Sequence, residues 1–250
     1  MSTNSSAPPP LPPNAALRYD VVSRYLDEIR PATVLEIGCG QGAFGARLAR
    51  RASYLGVEPA LASWQVAMPR VERAGGRLIN GDHTAVPAGT TYDLVCAFEV
   101  LEHIESDKEA LADWVGYVRP GGHLMLSVPA WQDRFGTWDE LAGHFRRYSP
   151  AELEGRLHDA GLRDTRIVVY GWPLGMALEG VRNIVASRRE ARVSNMSYEE
   201  RTEGSGRLLQ PNALTGTLSR AGVAPFRLLQ RLQPTRGTGL VALARRLTAD

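Results

Sequence analysis

Leu17, Val21, Val22, Tyr25, Leu26 and Ile29 recur at helical spacing, which predicts an amphipathic helix that Pro31 ends. The pattern then shortens to a β-branched apolar run, Thr33 to Ile37, closed by Gly38, and returns to helical spacing over Ala43 to Arg51 with Phe44 and Leu48 four apart. The same alternation continues downstream. Tyr54 to Val57, Arg77 to Ile79, Tyr92 to Phe98, His123 to Val128, Arg166 to Tyr170 and Leu240 to Ala244 read as further strands, and Ala62 to Ala74 as a helix. Ser106 with Glu109 reads as a capping box opening a helix whose buried face is Leu111, Trp114, Val115 and Val118. Ser149, Pro150 and Glu152 open another, with Leu153 and Leu157 on its apolar face and Gly161 at its end.

Strands alternating with helices of this length predict an α/β fold, Rossmann-like and doubly wound, with a mostly parallel sheet of seven strands whose ligands sit beyond the carboxyl ends of the strands. From Trp172 to about Leu232 the alternation gives way to helical stripes at 174–185, 214–221 and 226–232, so a helical lid or insertion of 172–232 is expected before the last strand. Residues 1–14, proline-rich and without a basic cluster or apolar run, are expected to be a disordered leader, leaving 15–250 as a single domain.

The chain has 250 residues, of which 44% are apolar and 22% charged, an ordinary globular composition. Its net charge of +2 argues against a surface built for nucleic acid, and two cysteines exclude a disulfide-stapled scaffold and favour a reducing, cytoplasmic setting. The charge is unevenly placed: residues 1–179 carry −5 and residues 180–250 carry +7. Arginine-flanked helices at 173–189 and 213–232 are therefore expected to serve as a lid or homodimer face, or to make peripheral contact with an anionic membrane.

Candidate chemistry begins at Glu36-Ile37-Gly38-Cys39-Gly40-Gln41-Gly42, where the first strand meets its helix and glycines let the backbone approach a ligand. Gly38, Gly40 and Ala43 also satisfy a dinucleotide pattern, so a nicotinamide-dependent oxidoreductase is an alternative, and Glu58 suits either case as a carboxylate for ribose hydroxyls. The later residues discriminate. Gly81-Asp82 after strand three, Tyr92-Asp93-Leu94-Val95 entering strand four, Glu99-Val100-Leu101-Glu102-His103 leaving it, and Arg119-Pro120-Gly121-Gly122 before strand five complete a set that resembles the class I S-adenosylmethionine-dependent methyltransferases over roughly residues 33 to 130.

The resemblance implies S-adenosyl-L-methionine as cofactor. It implies that Gly38, Gly40 and Gly42 admit its methionine portion, with Glu36 orienting the loop, that Glu58 holds the ribose, and that Asp82, followed by His83, meets the adenine. The backbone around Phe98 and Glu99 would meet the methionine ammonium. Gly143-His144-Phe145-Arg146-Arg147-Tyr148 is similar to a segment of small-molecule and glycan-directed members, which makes His144 the candidate general base, with His103 a second candidate. Arg146, Arg147 and Tyr148 are candidate acceptor contacts, the arginines for a carboxylate or phosphate or else as partners of Glu140, Asp139 or solvent, and Trp131 and Trp138 candidate pocket walls. The histidine and carboxylate spacings mark no metal site, so metal-free chemistry is expected. The expected reaction is O-methylation of a small organic or glycosyl acceptor by in-line displacement, with N-methylation or non-catalytic cofactor binding as alternatives.

Overall fold

The computed structural model describes residues 7–193 and 222–248, without the side chains of 187–193. Its seven strands are β1 (Thr33–Ile37), β2 (Ser53–Glu58), β3 (Arg77–Asn80), β4 (Tyr92–Phe98), β5 (Val118–Pro129), β6 (Leu162–Gly171) and β7 (Gly237–Arg246). They form one sheet in the order β3-β2-β1-β4-β5-β7-β6, in which the first five pair in parallel and β7 runs antiparallel to both neighbours. The seven-stranded, mostly parallel doubly wound sheet read from the sequence is the observed architecture.

The pleat explains why the strands are apolar throughout. Leu35, Val95, Leu124 and Leu126 point to one face, where they meet Leu111 and Trp114 of α4 (Asp107–Gly116) and Leu153 and Leu157 of α6 (Pro150–Asp159). Val34, Leu94, Cys96, Met125 and Val241 point to the other, against Leu17, Val21 and Tyr25 of α1 (Pro13–Ile29). Both faces are thus covered, and the parallel strands leave their carboxyl ends along one edge.

The remaining helices are α2 (Gly45–Leu48), α3 (Leu61–Glu72), α5 (Thr137–Ala142), α7 (Leu174–Val193) and α8 (222–229). The helix expected over Ala43 to Arg51 shrinks to a single turn, α2. At the start of α6 the reciprocal cap holds: the Glu152 N–H donates to Ser149 Oγ at 3.2 Å and the Ser149 N–H to Glu152 Oε2 at 2.8 Å. The box expected at Ser106 does not form, because Ser106 sits at ψ 60° and its side chain caps nothing. The leader is shorter than expected at its far end. Leu11 is buried beside Leu17, Arg47 Nη2 donates to the Pro9 carbonyl at 2.6 Å, and Pro13 opens α1, so apolar burial and one charge-assisted bond order residues that composition alone marks as disordered. Residues 1–6 and the stripe at 214–221 lie outside the described residues. Among the described residues, no helix is long and apolar enough to cross a membrane.

Candidate active site

The glycine loop leaves β1 with Gly38, Gly40 and Gly42 all at positive φ, but the three do different work. A Cβ on Gly38 would lie 2.7 Å from Val100 Cγ2, and one on Gly42 would lie 2.9 Å from Ala67 Cβ in α3, so both permit close packing of the loop. A Cβ on Gly40 would meet nothing within 4 Å. Gly40 therefore borders the open cradle. Alanine there is expected to cost only about 1 kcal/mol of left-handed strain while its methyl projects into the cradle. Calorimetry on Gly40→Ala should show S-adenosylhomocysteine binding weakened by about tenfold or more with a nearly unchanged melting midpoint; unchanged affinity would place the cradle elsewhere.

Glu58 ends β2 and ties the loop down. Its Oε2 accepts the Gly40 N–H at 2.7 Å and its Oε1 the Ala60 N–H at 3.0 Å. Asn80 at the end of β3 donates to the Glu58 carbonyl at 2.9 Å, which fixes the spacing of the neighbouring strand end. Asp82 is exposed at that edge and its Oδ1 accepts from Thr84 N–H and Oγ1; the hydroxyl bond, then the backbone bond, hold its carboxyl below the usual range. His83 lies toward α4, its Nε2 3.4 Å from Asp113 Oδ2 and its ring edge-on to Tyr117. Phe98, the last residue of β4, is buried against Phe44 with ring centroids 5.0 Å apart.

Glu36 lies beneath the loop, buried, accepting the Tyr54 hydroxyl on Oε2 at 2.6 Å. Burial pushes its pKa up to about 8, with the Tyr54 hydrogen bond working in the opposite direction. Between the ordinary 4.5 and about 8 the folded state keeps a proton that the unfolded chain has released, so this group makes stability fall as pH rises through that window. Each pH unit there is worth at most about 1.4 kcal/mol. Urea unfolding of Glu36→Gln at pH 5 and pH 8 should show a flatter dependence than the parent; identical slopes would contradict the assignment.

Glu99, one residue past β4, stands at φ 58° and is one-third exposed. Its Oε1 meets Arg18 Nη1 at 2.8 Å and accepts the Ser127 hydroxyl at 3.0 Å. Burial opposes ionisation, but Arg18 and Ser127 outweigh it and hold the Glu99 carboxyl below the usual range.

Beyond Glu99 the chain turns through Leu101–His103 and meets the segment that follows α5. Phe145 N–H donates to the Glu102 carbonyl at 2.8 Å, and the His103 and His144 rings stand edge-to-face, centroids 4.7 Å apart. His144 Nδ1 lies 2.8 Å from Asp139 Oδ1. Asp139 is fully buried; burial favours its neutral form, yet the His144 and Arg147 hydrogen bonds hold its pKa down at about 2. The His144 ring is therefore held by a carboxylate that favours its ionised form. For His103, burial first and His144 second depress the pKa to about 4, which favours the neutral imidazole.

Of the expected acceptor contacts at 146–148, Arg147 and Tyr148 are buried and Arg146 is partly exposed. Arg147 is buried and paired with Asp139, Nη2 to Oδ2 at 2.6 Å, and with Glu179 of α7, which also pairs with Arg134. Arg146 pairs with Asp107 at 3.0 Å, and buried Tyr148 donates its hydroxyl to the same carboxylate at 3.0 Å. Ion pairing outcompetes solvent here because the loop folds back onto α4 and α7, bringing acids from distant sequence to the arginines. Trp131 donates its Nε1–H to the Gly237 carbonyl at 3.2 Å, and Trp138 carries the Arg182 guanidinium 5.2 Å from its ring centre. The pairing of Arg147 with Asp139 is one that the sequence offered for these arginines, whereas Arg18, Glu179 and Arg182 leave no mark in sequence spacing.

The chain matches a family model described as a methyltransferase domain over residues 14–167, more than half its length. It belongs to the class I S-adenosylmethionine-dependent methyltransferases. It is 31% identical to a ubiquinone biosynthesis O-methyltransferase of Methylobacterium nodulans, over 68% of this chain and 80% of that one. It is 37% identical to an uncharacterized methyltransferase of Mycobacterium sp. (strain JLS), over 45% of each. The chain spans about half the length of the first of these curated mycobacterial relatives, 45% to 59%. Among solved structures, the N-methyltransferase NodS of Bradyrhizobium japonicum, in complex with S-adenosylhomocysteine, superposes with a TM-score of 0.55 at 17% identity, over 92% of this chain and 85% of that one. A phosphoethanolamine N-methyltransferase of Haemonchus contortus gives 0.58 at 15%, over 92% and 53%. At such identities the structures share the fold alone. The open space at Gly40 and the carboxylates of Glu58 and Asp82 at adjoining strand ends fit the family's cofactor.

Proposed function

We propose that this methyltransferase O-methylates a small organic or glycosyl acceptor, with His144 as the group that meets the acceptor hydroxyl. The observation that carries this reading is the Asp139–His144 pair beside the cofactor edge, since a hydroxyl must lose its proton as it is methylated and the pair is built to hold an imidazole for that purpose. The named O-methyltransferase that aligns with most of this chain supports the same atom. When bound, S-adenosylmethionine supplies an electrophilic methyl group on a sulfonium.

The residues divide the remaining work. Gly40 leaves room for the cofactor, Glu58 binds its ribose, Asp82 meets its adenine and Glu99, held by Arg18, lies on the methionine side. Asp139 keeps His144 Nδ1 occupied so that Nε2 is presented to the acceptor. Arg146 and Arg147 are committed internally, so an anionic acceptor group is better met by Arg182, whose buried Nε has no partner, with Trp138 beneath it. The basic segment 180–250 supports a lid over that acceptor.

The test is incubation of purified protein with methyl-labelled S-adenosylmethionine and a panel of small hydroxyl, glycosyl and amine acceptors. O-methyl product is expected. Methylation of amines alone would contradict the oxygen assignment, and cofactor binding with no turnover on any acceptor would favour a sensor.

A further inference from the structure

Glu102, His103 and His144 place their ligand-type atoms within 4.8 Å of one another, although 41 positions separate His103 from His144. The metal-free chemistry expected from sequence spacing did not take account of this cluster, which forms only when the loop after α5 folds over the turn after β4. Two further observations point the cluster at a ligand. Glu102 is 0% exposed, and neither of its carboxylate oxygens has a hydrogen-bond partner. A buried carboxylate left unpaired is costly, and native proteins seldom carry one without an ion, a water or a reaction to explain it. Both imidazoles, moreover, have Nδ1 beside an oxygen, His144 beside Asp139 Oδ1 at 2.8 Å and His103 beside the Gly143 carbonyl at 3.3 Å. That is how metal-binding imidazoles are aimed: one nitrogen is held by a carboxylate or carbonyl so that the other faces the ion.

We propose that Glu102, His103 and His144 bind a divalent first-row transition-metal ion, and that this ion binds the acceptor hydroxyl. Two imidazoles with one carboxylate suit ions from manganese to zinc better than magnesium or calcium, which prefer all-oxygen shells. Three protein donors leave coordination positions for the acceptor oxygen. A hydroxyl coordinated there releases its proton to solvent at a lower pH than a free one, and His144, whose Nε2 is then a ligand, takes up no proton. The acceptor half of this proposal rests on the oxygen-methylation reading; the ion-binding half does not.

The experiment uses the full chain, stripped with a chelator and dialysed, titrated calorimetrically with zinc chloride and, separately, with manganese chloride followed by electron paramagnetic resonance. One ion per chain is expected. Affinity should fall by about 10- to 100-fold in Glu102→Gln and again in His103→Gln, each checked for native circular dichroism, and should be unchanged in Arg166→Ala, an exposed residue paired with Glu28. No binding up to roughly millimolar ion, or binding undiminished in whichever of the two variants folds, would overturn the proposal. S-adenosylhomocysteine titrations on the same samples keep the two readings apart: retained nucleoside binding without ion binding sinks the ion site alone, and lost nucleoside binding sinks the functional assignment.

Discussion

Arg147→Leu is expected to lower folding stability by about 3 to 5 kcal/mol, the cost of leaving buried charges without their partner. Arg147 is buried between two acids that are themselves buried, Asp139 and Glu179, and it bridges α5 to α7. Removing the guanidinium leaves Glu179 with Arg134 and Asp139 with His144, and takes away the cation that lies between the two carboxylates in a medium that screens poorly. For a domain of this size the melting midpoint should drop by about 10 °C. Adding Glu179→Gln to Arg147→Leu should recover part of the loss, because it removes one of the two carboxylates that Arg147 balanced. An Arg147 that bound acceptor would behave otherwise: its loss would raise KM and leave the melting curve in place. Differential scanning fluorimetry on the single and double variants separates the two outcomes.

His144→Ala is expected to reduce turnover by about 10² to 10⁴ while leaving S-adenosylhomocysteine affinity intact. The loss follows whether Nε2 meets the acceptor hydroxyl directly or through a bound ion, since both need the imidazole that Asp139 orients. Asp139→Asn should also lower turnover, because an amide cannot hold the Nδ1–H tautomer as a carboxylate does. It should destabilise the fold too, as Asp139 accepts from Arg147 and from the Gly136 N–H at 3.0 Å. The pH profile distinguishes the direct role: a base loses activity as pH falls, and His144→Ala should abolish that limb. Equal turnover in His144→Ala and parent would end the assignment.

Much of the fold was legible because its signals are local. Each strand is a short apolar run and each helix a stripe of period 3.6, and in a parallel sheet the order of such elements nearly dictates the winding. The loop glycines and Glu58 were legible for the same reason, since a strand end and a tight turn leave a mark in adjacent residues. The failures are non-local. Arg146, Arg147 and Tyr148 look like a polar loop offered to a substrate, yet Asp107 lies some 40 positions earlier and Glu179 about 30 later, and only the closed fold brings them together. Glu102 and His103 read as a turn leaving β4; their meeting with His144 needed the Phe145 N–H to Glu102 carbonyl bond. The helix shortened to α2 shows the limit of periodicity itself, because an i,i+4 apolar pair does not fix how many turns follow.

The most direct test of the central claim is calorimetric titration of the full chain with S-adenosylhomocysteine, with NAD and NADP in parallel. One-site binding of S-adenosylhomocysteine alone, weakened in Gly40→Ala, is the predicted result. No binding by folded protein, or binding of NAD or NADP in its place, would contradict it.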